Sequence, residues 1–247
     1  MINDYFEHIF DSFIELKGDR KSGEDRSVPG GLAYIDGYKV VVIGFQKIIS
    51  TDNVKYPEPE GFRKSIRLMS LAETFNKPVL AFIDIPETNN NASIEKQKML
   101  ESTVHALEYM LNLKVPIISA VISMNNSLLT LDLCAGDKII LHNGASFNLY
   151  ISEHNSSGNK NFVKKISLVS DDLVKMNIVD RAIEYLPADM KSNGKLWRDA
   201  ILDELNGLIK TRASALIKQR FINLQRKFKS LKSVNEQLKT THNLQKE

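Results

Sequence analysis

A single cysteine, Cys134, stands in the 247 residues. One thiol forms no internal disulfide and supplies no thiolate cluster for zinc, which fits a reducing compartment and leaves no metal site expected in this chain. His8, His105, His142, His154 and His242 are scattered without an H-x-x-x-H spacing or a nearby acidic pattern, so they read as structural or surface residues. Long hydrophobic runs are missing too: nothing approaches the run of about eighteen apolar residues that a membrane span needs. The opening Met1-Ile2-Asn3-Asp4-Tyr5-Phe6-Glu7 lacks the basic-then-apolar order of a secretory signal, so the expected location is the cytoplasm, with no membrane contact. Net charge is also small, +3, which excludes a strongly basic or acidic chain. The charge is uneven, because Lys210 to Lys239 is rich in Lys and Arg with only Glu236 against them, a tail suited to an acidic partner.

What is present is ordinary globular material, 43% hydrophobic and long enough for a substantial core. Phe6, Ile9, Phe10, Phe13 and Ile14 recur at helical spacing and predict an amphipathic helix over Tyr5 to Leu16. Asp36-Gly37 between the β-prone runs Leu32–Ile35 and Tyr38–Gly44 predicts a hairpin. Ile48 to Pro59 has no period and reads as a loop. Phe62, Ile66, Met69, Ala72 and Phe75 predict a helix stopped by Asn76-Lys77-Pro78. From Pro78 the pattern alternates: a buried strand over Val79–Ile83, a helix marked by Leu100, Val104, Leu107 and Leu111, and a buried strand over Ile117–Ile122. A further helix is expected to follow Asn126, with Ser127 at its start, then strands at Ile139–Leu141 and Phe147–Ile151, a helix over Asp171–Asn177, and a mostly helical segment from Trp197 to about Gln237. The expected division is residues 1–26 as N-terminal helix and linker, 27–190 as core, and 191–247 as a projecting helical segment.

Several strings in this order carry a resemblance. Phe13-Ile14-Glu15-Leu16-Lys17-Gly18-Asp19-Arg20, Gly30-Gly31, Asp36-Gly37, Ile43-Gly44-Phe45-Gln46-Lys47 and Pro59-Glu60-Gly61-Phe62-Arg63-Lys64 come first. Arg67-Leu68-Met69, Phe82-Ile83-Asp84, Val115-Pro116, Ala120-Val121-Ile122 and Gly136-Asp137-Lys138 follow at nearly constant spacing. Together they make the chain similar to the alpha subunit of bacterial acetyl-coenzyme A carboxylase carboxyltransferase. The resemblance implies an α/β fold, the crotonase-like spiral of ββα units. It also implies transfer of a carboxyl group from carboxybiotin, carried on a separate biotin carrier protein, to acetyl-coenzyme A, giving malonyl-coenzyme A for fatty-acid synthesis. A carboxyltransferase beta-type subunit is the implied partner in a hetero-oligomer. That subunit bears the zinc ribbon and much of the coenzyme A thioester site.

In such enzymes, negative charge developing on the biotin ureido oxygen meets preorganised backbone N–H donors, and glycine lets the ligand approach the chain closely. Glycines are what this sequence lacks at those places. The first family loop has a Pro-Gly-Ala-Tyr-Pro-Gly type sequence, where Glu87, Thr88, Asn89, Asn90 and Asn91 follow Pro86 here; the second has Gly-Glu-Gly-Gly-Ser-Gly-Gly-Ala, where Ser123 to Thr130 stand here. The resemblance makes the backbone amides of Glu87, Thr88, Asn125 and Asn126 the oxyanion donors, with Ser127, Leu128 and Leu129 facing biotin. Asparagine tolerates positive φ and keeps its N–H, so Asn90, Asn91, Asn125 and Asn126 are compatible with the family path. Leu128 and Leu129 add isobutyl groups where a ring should lie against backbone. The turn Ile151-Ser152-Glu153-His154-Asn155 stands in for a third family motif, Ser-Pro-Glu-Gly.

Two functional readings follow, an alpha-type carboxyltransferase subunit and a non-catalytic paralogue acting as scaffold or regulatory partner; an enzyme with an altered acyl-coenzyme A or biotin-like substrate is a third. Blander roles are assigned elsewhere. Cys134 reads as a small core residue, and Ser127 as an N-cap at a helix start. Arg220, Arg226, Lys227 and Lys229 read as a solvated helix face with aliphatic stems beneath. They form a phosphate-compatible surface, but no aromatic interleaving supports nucleic-acid recognition. Arg63, Lys64 and Arg67 are further candidates for anions.

Overall fold

The computed structural model describes residues 2–21, 23–49, 54–86, 93–127, 133–153 and 162–244. Its centre is a seven-stranded sheet in the order β1-β2-β3-β6-β7-β9-β12. The antiparallel end is β1 (Ser12–Glu15), β2 (Gly30–Ile35) and β3 (Tyr38–Gln46). The remainder, β6 (Val79–Asp84), β7 (Ile117–Val121), β9 (Lys138–His142) and β12 (Arg181–Ile183), continues from β3 in parallel. A smaller sheet combines β8 (Asn125–Ser127), β10 (Ser146–Glu153) and β11 (Phe162–Val169), and β4 (Ile48–Ile49) pairs with β5 (Val54–Lys55) inside the stretch read as a loop.

Parallel strands need both faces covered, and strand alternation divides the apolar residues accordingly. Val79, Ala81 and Ile83 of β6 enter one core, beneath α2 (Pro59–Thr74) and α3 (Ser93–Asn112). Leu80 and Phe82 enter the other, beneath α1 (Ile2–Ile9) and α5 (Met190–Leu208). The short α4 (Ser170–Lys175) adds Leu173 to the first core, and the long α6 (Ala213–Leu244) crosses on the side of α3.

The hairpin forms as expected, with φ of 43° at Asp36 and 84° at Gly37 in the turn. Helix α2 starts on Pro59 and ends before Asn76, whose φ of 50° is one that asparagine accepts more readily than most residues. The expected helix over Tyr5–Leu16 is corrected: α1 ends at Ile9, and Ser12–Glu15 is an edge strand. The backbone of β2 offers ladder partners from Gly31 to Tyr34, and Asp11 N–H donates to Tyr34 O at 2.8 Å just before the strand begins. Gly31 makes this pairing possible, since a β-carbon there would collide with the Ile14 carbonyl. Ile14 consequently points outward, 64% exposed, instead of joining a helical stripe.

Candidate active site

Strands β6 and β7 lie side by side with Ile83 opposite Val121, and Ile122 N–H donates to Ile83 O at 2.9 Å. The chain therefore leaves the sheet at Pro86 and at Ser123 from neighbouring strand ends, which lie about 5 Å apart in a sheet. This is the carboxyl edge of the parallel strands, where open α/β sheets take their ligands. Both loops with the replaced glycines thus start from one place.

Glu87, Thr88, Leu128 and Leu129 lie outside the described residues, as do His154 and Asn155 of the third motif. Asn125, Asn126 and Ser127 are described, and here the expected helix start at Ser127 is corrected: they form β8, parallel to β10, while residues 128–132, where the helix was expected to run, lie outside the described residues. Ser146 N–H donates to Met124 O at 2.7 Å, opening that ladder. Ser127 is therefore the last residue of a strand, not a helix N-cap. The difference matters chemically, because a strand turns successive N–H groups to opposite edges whereas a helix start aims several in one direction. The start of β10 is itself held by α4: Gly144 N–H donates to Ser170 Oγ at 3.0 Å, and Ser170 N–H to Ala145 O at 2.8 Å.

Against the other face of the sheet is a polar cluster that sequence reading missed. His142, on β9, is 0% exposed, and its Nε2 accepts from Trp197 Nε1 at 3.0 Å. That bond makes Nε2 the acceptor and puts the proton of the neutral ring on Nδ1. Burial pushes the imidazole down to about 4. The His142 ring centroid lies 4.9 Å from Tyr185 and 6.4 Å from Tyr5. Tyr5 is pushed up to about 12 by burial, then by Tyr185 and Asp84. Asp84, at the end of β6, is raised by burial, with the N-terminal amine and Lys47 acting in the opposite sense. These residues come from α1, β6, β9, α5 and the stretch after β12, so no local pattern marks them.

The basic residues proposed for anions have protein partners. Arg63 Nη2 pairs with Asp19 Oδ2 at 2.8 Å, and buried Lys64 with Glu24 Oε1 at 2.6 Å; Arg67 Nη2 donates to Gly18 O at 2.9 Å. They fasten the loop after β1 onto α2. On α6 the solvated-face reading is corrected for Arg220 and Lys227, which are buried and bonded to the core, while Lys229 is exposed. Cys134 is buried, as expected for a small core residue.

Residues 1–231 match the family model described as acetyl co-enzyme A carboxylase carboxyltransferase-like. The chain belongs to that family. Among related carboxyltransferases, the acetyl-coenzyme A carboxylase carboxyl transferase subunit alpha of Xanthomonas campestris pv. campestris is 33% identical over 238 residues, covering 90% of this chain and 75% of that one. The Natranaerobius thermophilus protein named for subunits beta/alpha is 32% identical over 244 residues, 92% of this chain and 40% of that one. Among solved structures, the transcarboxylase 12S hexamer core with methylmalonyl-coenzyme A superposes with a TM-score of 0.60 at 14% identity, over 85% of this chain and 42% of that chain. That likeness is one of fold, and it agrees with the crotonase-like carboxyltransferase architecture expected from the sequence. Among the described residues no group of three or more His, Cys, Asp or Glu is placed to hold a metal, and no helix is long and apolar enough to cross a membrane.

Proposed function

We propose that this chain is the alpha-type half of a carboxyltransferase, acting with a beta-type subunit to move a carboxyl group from carboxybiotin on its carrier protein to acetyl-coenzyme A. The observation that carries this reading is the coincidence of two facts. The family match runs over residues 1–231, and the two loops to which the resemblance assigns the donors leave adjacent strand ends at Pro86 and Ser123. As the bond from biotin nitrogen to the carboxyl carbon breaks, charge grows on the ureido oxygen. Backbone amides of Glu87 and Thr88, together with whichever of the consecutive Asn125 and Asn126 amides faces away from β10, are assigned to that oxygen, with Ser127, Leu128 and Leu129 against the biotin ring. The fused beta/alpha relative supports a beta-type partner. The scaffold reading has no comparable support, since the curated relatives carry the name of the enzyme's subunit.

Leu128 and Leu129 narrow the cradle in this reading. Replacing both with glycine in the complex with the beta-type partner is expected to raise carboxyl transfer by about ten- to 100-fold, part of what one oxyanion donor typically contributes. Carboxylation of free biotin by malonyl-coenzyme A, measured with wild type and variant in parallel, reads this directly. A fall in rate would place the leucines in a working pocket as they stand, and contradict the narrowed cradle.

A further inference from the structure

Between Pro86 and β9 the chain makes both loops, and each time it returns to the opposite, amino edge of the sheet it meets a cation from α6. Arg220 Nη1 donates to Met110 O at 3.1 Å and to Leu113 O, and Nη2 to Val115 O at 2.6 Å, where α3 ends and β7 is about to begin. The same guanidinium holds Asp137, one residue before β9, through Nε to Oδ1 at 2.8 Å and Nη2 to Oδ2 at 2.8 Å. About two turns further along the same face of α6, Lys227 Nζ donates to Cys134 O at 3.0 Å, on the stretch that leads into β9. Lys227 is 7% exposed, and burying an ammonium without strong compensation is costly. Nothing about covering a helix with α6 requires it, since an apolar side chain of that length would fill the same space.

We infer that Lys227 is a positioning residue for the second loop, fixing its exit at Cys134 while Arg220 fixes the entry of β7 and the start of β9. This rests on the carboxyltransferase reading for its catalytic consequence, though not for its structural one. The segment from Ile117 to Asp137 is then clasped at both ends: Val115 O and Asp137 by Arg220, Cys134 O by Lys227. Met124 to Ser127 lie between, held sideways by β10. In the carboxyltransferase reading, the amides assigned to the substrate owe part of their placement to α6.

The test uses the full chain in complex with its beta-type partner and compares wild type, Lys227→Met and Lys227→Arg. Methionine keeps an unbranched stem and loses every donor; arginine keeps the charge and a donor. Amide exchange at 125–127 and 133–136 is expected to rise by about tenfold or more in Lys227→Met, with exchange in β3 and β6 unchanged. Carboxyl transfer is expected to lose kcat by a similar factor at constant KM, and Lys227→Arg to recover most of both. Uniformly faster exchange across the sheet would make Lys227 a general stabiliser and overturn the inference, as would unchanged exchange at 125–127. If the wild-type complex transfers no carboxyl group, the function has failed, and the exchange pattern still decides the positioning role.

Discussion

Arg220→Met is expected to destabilise the chain by about 3–5 kcal/mol, the typical cost of removing one partner from a buried ion pair. Asp137 would keep a buried carboxylate with only backbone donors, and the carbonyls of Met110, Leu113 and Val115 would lose the guanidinium that now bonds them. The pair itself need not be worth that much. Desolvating both charges offsets most of their attraction, so Arg220→Met with Asp137→Leu should recover about 2 kcal/mol relative to the sum of the single substitutions. Urea unfolding followed by Trp197, the only tryptophan in the chain, measures all three variants. Strict additivity would show that Arg220 and Asp137 act separately, against the geometry of two parallel N–H···O bonds.

The second large effect is on pH. His142 titrates near its ordinary value of 6.5 when unfolded and at about 4 when folded. Between those values the unfolded state binds the proton and the folded state does not, so stability is complete above about pH 6.5 and falls as pH drops toward 4. The loss amounts to roughly 3 kcal/mol over that window, because each pKa unit is about 1.4 kcal/mol. Asp84 works in the opposite sense: burial raises its carboxyl, so the folded chain takes up that proton first and gains stability in acid. The diagnostic comparison is therefore wild type against His142→Gln, which retains an acceptor for the indole N–H and has no titration in this range. The difference between their unfolding free energies should shrink or reverse by roughly 3 kcal/mol from pH 7 to pH 4. A constant difference would mean that His142 is not held neutral by its surroundings.

Much of the fold could be read from the chain because the signals are local. Asp36-Gly37 favours a turn whose φ values these residues accept, and the short apolar runs Val79–Ile83 and Ile117–Ile122, bounded by Pro78 and Pro116, fit strands covered on both faces. The errors came where a partner distant in sequence decides. Ser12–Glu15 has helical periodicity, yet a glycine at position 31 lets it lie against β2 and the ladder wins. Asn125–Ser127 looks like a helix start until β10, some twenty residues on, supplies a strand to pair with.

The site was legible only in outline. Replaced glycines in an otherwise recognisable order located both loops, and adjacency of β6 and β7 brings their origins together. The cations beneath them were misread for a physical reason. A lysine or arginine on a helix is normally solvated, and Arg220 is buried only because Asp137, 83 positions earlier, and the carbonyls after α3 converge on it. His142 shows the same limit, being an isolated histidine in sequence and the acceptor for Trp197, 55 positions later, in the fold.

The most direct measurement is transfer of labelled carboxyl from malonyl-coenzyme A to biotin by this chain mixed with a zinc-ribbon beta-type subunit from the same genome. The account predicts no transfer by either protein alone, transfer by the complex, and a further rise with Leu128→Gly and Leu129→Gly. A stable complex that moves no label, with or without those glycines, would contradict it.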